Sequence, residues 1–201
     1  MKLESPFGVQ LTVALFSLAF AACDNLPTTK IDFYIDARTA SEVPDNDRWP
    51  GGAGNSSPIM SSEVEGMQCY VELSPTNTGF LDRWGSPFRL TIHVTPKDRS
   101  NWLKYDMLYL KSLTVIGNSQ TTLFEIKEPL KIEFEKNSGG VLKTAYYEQE
   151  FPIQHSANKT VTVTFVYKLI SSNGSFTHEV AGTSSFVGRT ATKRGWKGWG
   201  V

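Results

Sequence analysis

The chain predicts an antiparallel all-β domain, built as a two-sheet sandwich, with a closed β-barrel as the alternative. Apolar residues recur at every second position in segment after segment, and turns rich in Gly, Asn and Ser separate those segments. No stretch sustains helical spacing over three turns. Strands joined by tight turns, without alternating helices, belong to sheet-on-sheet architectures rather than to parallel α/β ones.

The first strand is expected over Lys30 to Asp36, where Ile31, Phe33 and Ile35 alternate with polar partners. Residues 37–66 then break the pattern: Val43 to Pro58 is dense in Gly, Pro, Ser and Asn, and Trp49 is the one aromatic residue in it. Structureless stretches beyond about 12–15 residues are functional loops or disordered insertions, so a long loop is expected near 37–66. Gln68 to Leu73 places Cys69, Val71 and Leu73 on one face. Phe88 to Thr95 places Phe88, Leu90, Ile92 and Val94 inward, with Arg89, Thr91 and His93 outward.

A short helix is expected around Ser100 to Met107, after Pro96 to Arg99. Further strands follow at Leu108 to Ile116, Thr122 to Lys127, Leu130 to Lys136 and Val141 to Glu148, with turns at Gly117 to Ser119 and Asn137 to Gly140. The longest pair is Thr160 to Ile170 with Ser175 to Val187, joined through Asn173-Gly174, a dipeptide that favours positive φ. In architecture alone this order resembles an immunoglobulin-like sandwich; the Cys, Trp, Cys spacing of antibody domains is missing.

Twenty basic and twenty acidic residues balance. No global field draws such a chain to nucleic acid. The length suits a single domain with its own core, expected over 30–201. The two cysteines are Cys23 and Cys69.

Leu11 to Ala22 is an apolar run of twelve residues that closes on small residues immediately before Cys23. It is too short for a stable membrane span and has the length of a signal-peptide core. Phe20-Ala21-Ala22-Cys23 resembles the lipobox of bacterial lipoproteins. That resemblance implies that residues 1–22 are removed as a signal peptide and that Cys23 carries palmitate-type acyl chains, so that it has no free thiol to pair with Cys69. Asp24 with Asn25 resembles the enterobacterial sorting signal for retention in the inner membrane, implying its periplasmic face; the outer membrane is the alternative. Ala19-Phe20-Ala21 is also an A-x-A site, and cleavage there would release a soluble chain. Residues 23–29 form the expected lipidated tether, and the six residues after Cys23 span at most about 20 Å. Several acyl chains, at about 0.8 kcal/mol per buried CH₂, make such attachment permanent.

Catalytic signatures are missing. There is no Gly-x-Ser-x-Gly and no phosphate-binding Gly-x-x-x-x-Gly-Lys, and His178-Glu179 opens a zinc motif whose second ligand position holds Gly182. His93 and His155 read as scattered surface imidazoles, Glu133 with Glu135 and Glu148 with Glu150 as solvated sheet faces, and Cys69 as an inert buried thiol. No catalytic residue, cofactor or metal is expected. The segment Arg189 to Val201 is different, since it interleaves four basic residues with two tryptophans. Lys193, Arg194, Trp196, Lys197 and Trp199, together with Trp49, are the expected partner-binding residues.

The expected role is that of a non-enzymatic, membrane-anchored binding module facing the periplasm. In size, anchorage and lack of motifs the chain resembles immunity lipoproteins, which implies a toxin as protein partner. An envelope component is the other expected partner, the chain then being a subunit of an assembly or secretion machine. An envelope hydrolase, with His93, His178, Glu133 and Glu148 converging, is the alternative of a different class. Expressed in a bacterium, the chain should incorporate labelled palmitate, and Cys23→Ala should abolish labelling; unlabelled wild-type protein starting at Ala22 would contradict the lipobox reading.

Overall fold

A computed structural model describes residues 28–41, 60–76, 83–98, 104–136, 143–171, 173–177 and 179–194. They form ten strands: β1 (Thr28–Asp36), β2 (Met60–Val64), β3 (Met67–Thr76), β4 (Arg83–Pro96), β5 (Tyr105–Gly117), β6 (Thr122–Glu125), β7 (Leu130–Lys136), β8 (Lys143–Phe151), β9 (Thr160–Ser171) and β10 (Val180–Arg194). No helix occurs among the described residues.

The strands run in the order β1-β10-β9-β5-β7-β8-β4-β3-β2, with β6 paired to β5. The antiparallel all-β expectation is met. The ladder is one continuous sheet curled into a half-barrel, which fits the barrel alternative; a division into two sheets is not confirmed. Two strands turn its corners. β7 pairs with β5 through Leu130 to Glu133 and with β8 through Phe134 to Lys136. β4 pairs with β3 and β8 along most of its length, while its first residues meet β1 in parallel at Lys30–Arg83 and Ile31–Trp84.

β10 carries two partners in succession. Its first half, Val180 to Val187, pairs with β9, and its second half, Phe186 to Arg194, pairs with β1. β1 is therefore held between the second half of β10 and the start of β4.

Alternation fills the interior. Phe88, Leu90, Ile92 and Val94 of β4 and Val161, Val163, Phe165, Tyr167 and Leu169 of β9 are all buried. In β5 the buried residues change parity, from Leu108 and Leu110 to Leu113 and Val115, because a bulge inserts Lys111 between the pairs Leu110–Tyr167 and Ser112–Val166. Cys69 lies in the core, and burial pushes its thiol up to about 12.

Three sequence expectations are corrected. The loop near 37–66 contains β2, whose Ser61 and Ser62 lack apolar alternation because they reach across to Ser184 (2.6 Å) and to the Tyr167 hydroxyl (3.2 Å). The Glu65-Gly66 turn after it has both residues at positive φ, 47° and 78°, the geometry of a two-residue hairpin loop. The helix expected over Ser100 to Met107 is replaced, from Tyr105 onward, by β5, where a register shift between Tyr105 and Met107 hides the period of two. The last strand begins at Val180 rather than Ser175; the segment before it makes only an isolated bridge, Ile170–Phe176.

Gly182 faces Phe165 across the β9–β10 ladder, and a Cβ placed there would lie 2.1 Å from the Phe165 ring. Gly182→Ala should force that buried ring to move and destabilise the fold by about 1–3 kcal/mol. A denaturation midpoint equal to that of the wild type would show that the ring has room to yield.

Candidate functional site

Of the residues singled out in the sequence, Lys193 and Arg194 fall in described backbone. They end β10, opposite Thr29 and Thr28 of β1. Cys23, Asp24, Asn25, Trp49, Trp196, Lys197, Trp199 and His178 lie outside the described residues. The register brings the start of β1, which follows Cys23 by five positions, beside the end of β10, which precedes Trp196 by two.

Directly behind that end the structure builds a buried polar cluster. Asp32 of β1 is 5% exposed; its Oδ1 accepts from the Thr190 hydroxyl at 2.8 Å and lies 3.4 Å from Nδ1 of His155. His155, also 5% exposed, stands in the connection between β8 and β9, with the rings of Tyr34 and Phe88 against it. Expected as a surface imidazole, it is buried instead, because this connection folds back over the inner face of β1. The Tyr34 hydroxyl donates to the Asn158 carbonyl at 2.6 Å, and Asn158 Nδ2 donates to the Gln154 carbonyl at 3.2 Å. Burial, reinforced by the Asp32 charge, pushes the Tyr34 phenol well above its ordinary value. Lys159 Nζ stands 3.5 Å from His155 Nδ1.

Glycines make room for this cluster. A Cβ on Gly188 would lie 2.7 Å from His155 Nε2, and one on Gly117 would lie 2.0 Å from Asn158 Oδ1. The imidazole edge thus lies close against the β10 backbone at Gly188. An aspartate–histidine pair packed this way holds segments together. The only local sign in the sequence is the polar residues at alternate positions of β1, which read as an outer face.

At the top of β1, Asp36 binds Arg38 through side chain (2.7 Å) and backbone N–H (2.8 Å). Burial raises its carboxyl, and the Arg38 hydrogen bonds and charge more than offset this, holding it below the ordinary carboxylate range.

The outer face of β3, β4 and β8 carries the remaining singled-out groups. His93 stacks on Tyr70, with ring centroids 5.0 Å apart. Arg89 bridges Glu148 (3.1 Å) and Glu150 (2.7 Å), and Tyr146, 52% exposed, donates to Glu148 at 2.9 Å. These carboxylates and the exposed Glu133 and Glu135 lie on solvated faces, as the alternation predicts. Among the described residues no group of three or more His, Cys, Asp or Glu side chains is placed to hold a metal ion.

Burial holds the His93 imidazole below its ordinary value, against the opposing charge of Glu72. A neutral folded histidine means that the unfolded chain binds more protons as pH falls below about 6.5, so stability declines from there down to the folded pKa. His93→Gln should remove that part of the decline, seen as a flatter denaturation midpoint between pH 7 and pH 5. Wild type and variant losing stability in parallel would assign the pH dependence to other groups.

Comparison with protein-family models gives no match, and comparison with curated proteins gives none.

Proposed function

We propose that the chain is a lipid-anchored protein of the bacterial envelope, held at the periplasmic face of a membrane, that binds a protein partner without catalysis. What carries this is the apolar run Leu11 to Ala22 leading into Cys23, with β1 beginning at Thr28. Four residues then separate the acylated cysteine from the sheet, at most about 15 Å of chain. A domain held so close meets partners at its own membrane: a toxin arriving there, or a component of an envelope assembly.

The outer face of β3, β4 and β8 suits a protein partner. Tyr70, His93 and Tyr146 present aromatic area beside an arginine already fixed by two carboxylates, and Tyr and Arg are enriched in the energetic centres of interfaces. Side chains held on a rigid sheet lose little freedom on binding.

The test uses the full chain, cross-linked in intact cells and purified with whatever is attached. Arg89→Ala with Tyr146→Ala should lower the affinity for the partner about thirtyfold, the effect of losing one hot-spot contact, and with it the yield of the cross-linked complex, with the melting temperature nearly unchanged. Undiminished complex would remove this face from the reading. Wild-type chain recovered wholly in the soluble periplasmic fraction would remove the anchor.

A further inference from the structure

We propose that the open edge of β8, at residues 146–150, takes up an extended segment of a protein partner as an added strand, one whose side chains alternate between basic outward and apolar inward; this rests on the protein-binding reading above and gives it a mode.

The opening arises where β7 changes partners. Its last residues, Phe134 to Lys136, pair with Ala145 to Lys143 of β8, whereas Leu130 to Glu133 pair with β5 instead. β8 runs on to Phe151 with β4 along one side. Along the other side, from Tyr146 onward, no strand is paired among the described residues. A bare strand edge presents N–H and C=O groups that an extended chain of suitable side-chain pattern can pair with. The Glu150 carbonyl takes its bond from the neighbouring Gln149 side-chain amide, at 2.7 Å, a local substitute that an incoming N–H can displace. At the end of the edge the Phe124 ring stacks on Phe151, with centroids 5.2 Å apart, and limits the free stretch to 146–150.

Two other edges of the sheet are closed by distant segments. In β10 the Ser185 carbonyl accepts from the backbone N–H of Ala37 at 2.8 Å, and Ser184 meets Ser61 of β2 at 2.6 Å. In β2 the Met60 carbonyl accepts from Arg38 at 2.9 Å. On β8 the substitute comes from the strand's own side chain.

Register fixes what the added strand meets. Tyr147 pairs with buried Ile92, and Leu130 and Ile132 with buried Leu110 and Leu108, so all three face the interior, yet each is only half-buried. Apolar side chains of an incoming strand complete their cover. On the outward side the exposed carboxylates are Glu133, Glu135, Glu148 and Glu150; the cations beside them are Lys131 and Arg89, the latter already bridging Glu148 and Glu150. Outward lysines or arginines match that acidic excess. Tyr146, exposed on the same face, offers its ring to the same cations.

The full chain, purified in non-ionic detergent, is titrated with a labelled synthetic peptide of alternating lysine and valine, about six residues long, the usual length of a strand. It should bind about tenfold tighter than a peptide of alternating glutamate and valine, and about tenfold tighter than one with the same lysines and valines in two blocks. Pairing with one edge uses the N–H groups of alternate residues only. Of two peptides N-methylated at the lysines or at the valines, one should therefore bind about fiftyfold more weakly, the effect of losing two or three backbone hydrogen bonds, and the other should bind unchanged. Glu148→Gln with Glu150→Gln should weaken binding about fivefold, as for two exposed ion pairs. Glu63→Gln in β2 with Glu179→Gln before β10 should have no effect.

Equal binding of the three unmethylated peptides, or equal effects of the two N-methyl sets, overturns strand addition. So does a loss from the Glu63 and Glu179 pair as large as that from the β8 pair. Since the peptide meets the purified chain, such a failure alongside an intact cross-linked complex in cells rejects the added strand and leaves the protein-binding reading standing.

Discussion

β1 is buried on both faces, and the rest of the molecule is arranged around that constraint. Its odd positions, Ile31, Phe33 and Ile35, pack with Ala191 in an apolar cluster of their own. Its even positions, Asp32, Tyr34 and Asp36, are buried as well. Three buried polar side chains on one strand would each cost on the order of 1–3 kcal/mol or more if left without partners, enough in sum to cancel the stability of a small domain. Each partner comes from a different place in the chain: Thr190 from β10, His155 and Asn158 from the connection between β8 and β9, and Arg38 from the turn after β1.

That requirement explains the shape of the connection between β8 and β9. A shorter link would join Phe151 to Thr160 but would take away the imidazole beside Asp32 and the acceptor of the Tyr34 hydroxyl. The longer one carries an imidazole and a carbonyl back to β1, and the small residues Gly188 and Gly117 let it lie against the sheet. Removing one member of such a set costs more than the set contributes, because the groups left behind stay buried without partners. β1 joins β10 along nine residue pairs and meets β4 at its start, so the same cluster packs against the strand that links the two.

The sequence was legible where side chains alternate without interruption. β9 and the middle of β4 lie close to where their periodicity places them, and the thiol of Cys69 is on the apolar side of its strand as expected. It was misleading where the period is broken for a structural reason. The bulges of β5 shift its register at Asp106 and Lys111, which disguises the strand's start as a helix, although the change of parity from Leu110 to Leu113 is a sign of the second bulge visible in the sequence itself. β2 escaped notice because serines, not apolar residues, tie it to β9 and β10. The Asp32–His155 cluster could not be read at all: local pattern reports which residues are polar, whereas burial of a polar residue depends on partners more than a hundred positions away.

The same limit applies to charge. Whole-chain neutrality conceals an uneven distribution: Lys97–Glu63, Lys104–Glu65 and Lys111–Glu179 are exposed ion pairs, whereas Asp32 and Asp36 of β1 are buried carboxylates. The exposed pairs contribute about 0–1 kcal/mol each to stability, so the fold gains little from placing them where they are. Their consequence is electrostatic reach. A carboxylate bound to its own cation exerts little field, and at physiological salt any remainder decays over about 8 Å, a fraction of the length of β10. What each part of the surface presents is therefore decided by its own side chains, and the net charge of the chain has no bearing on it.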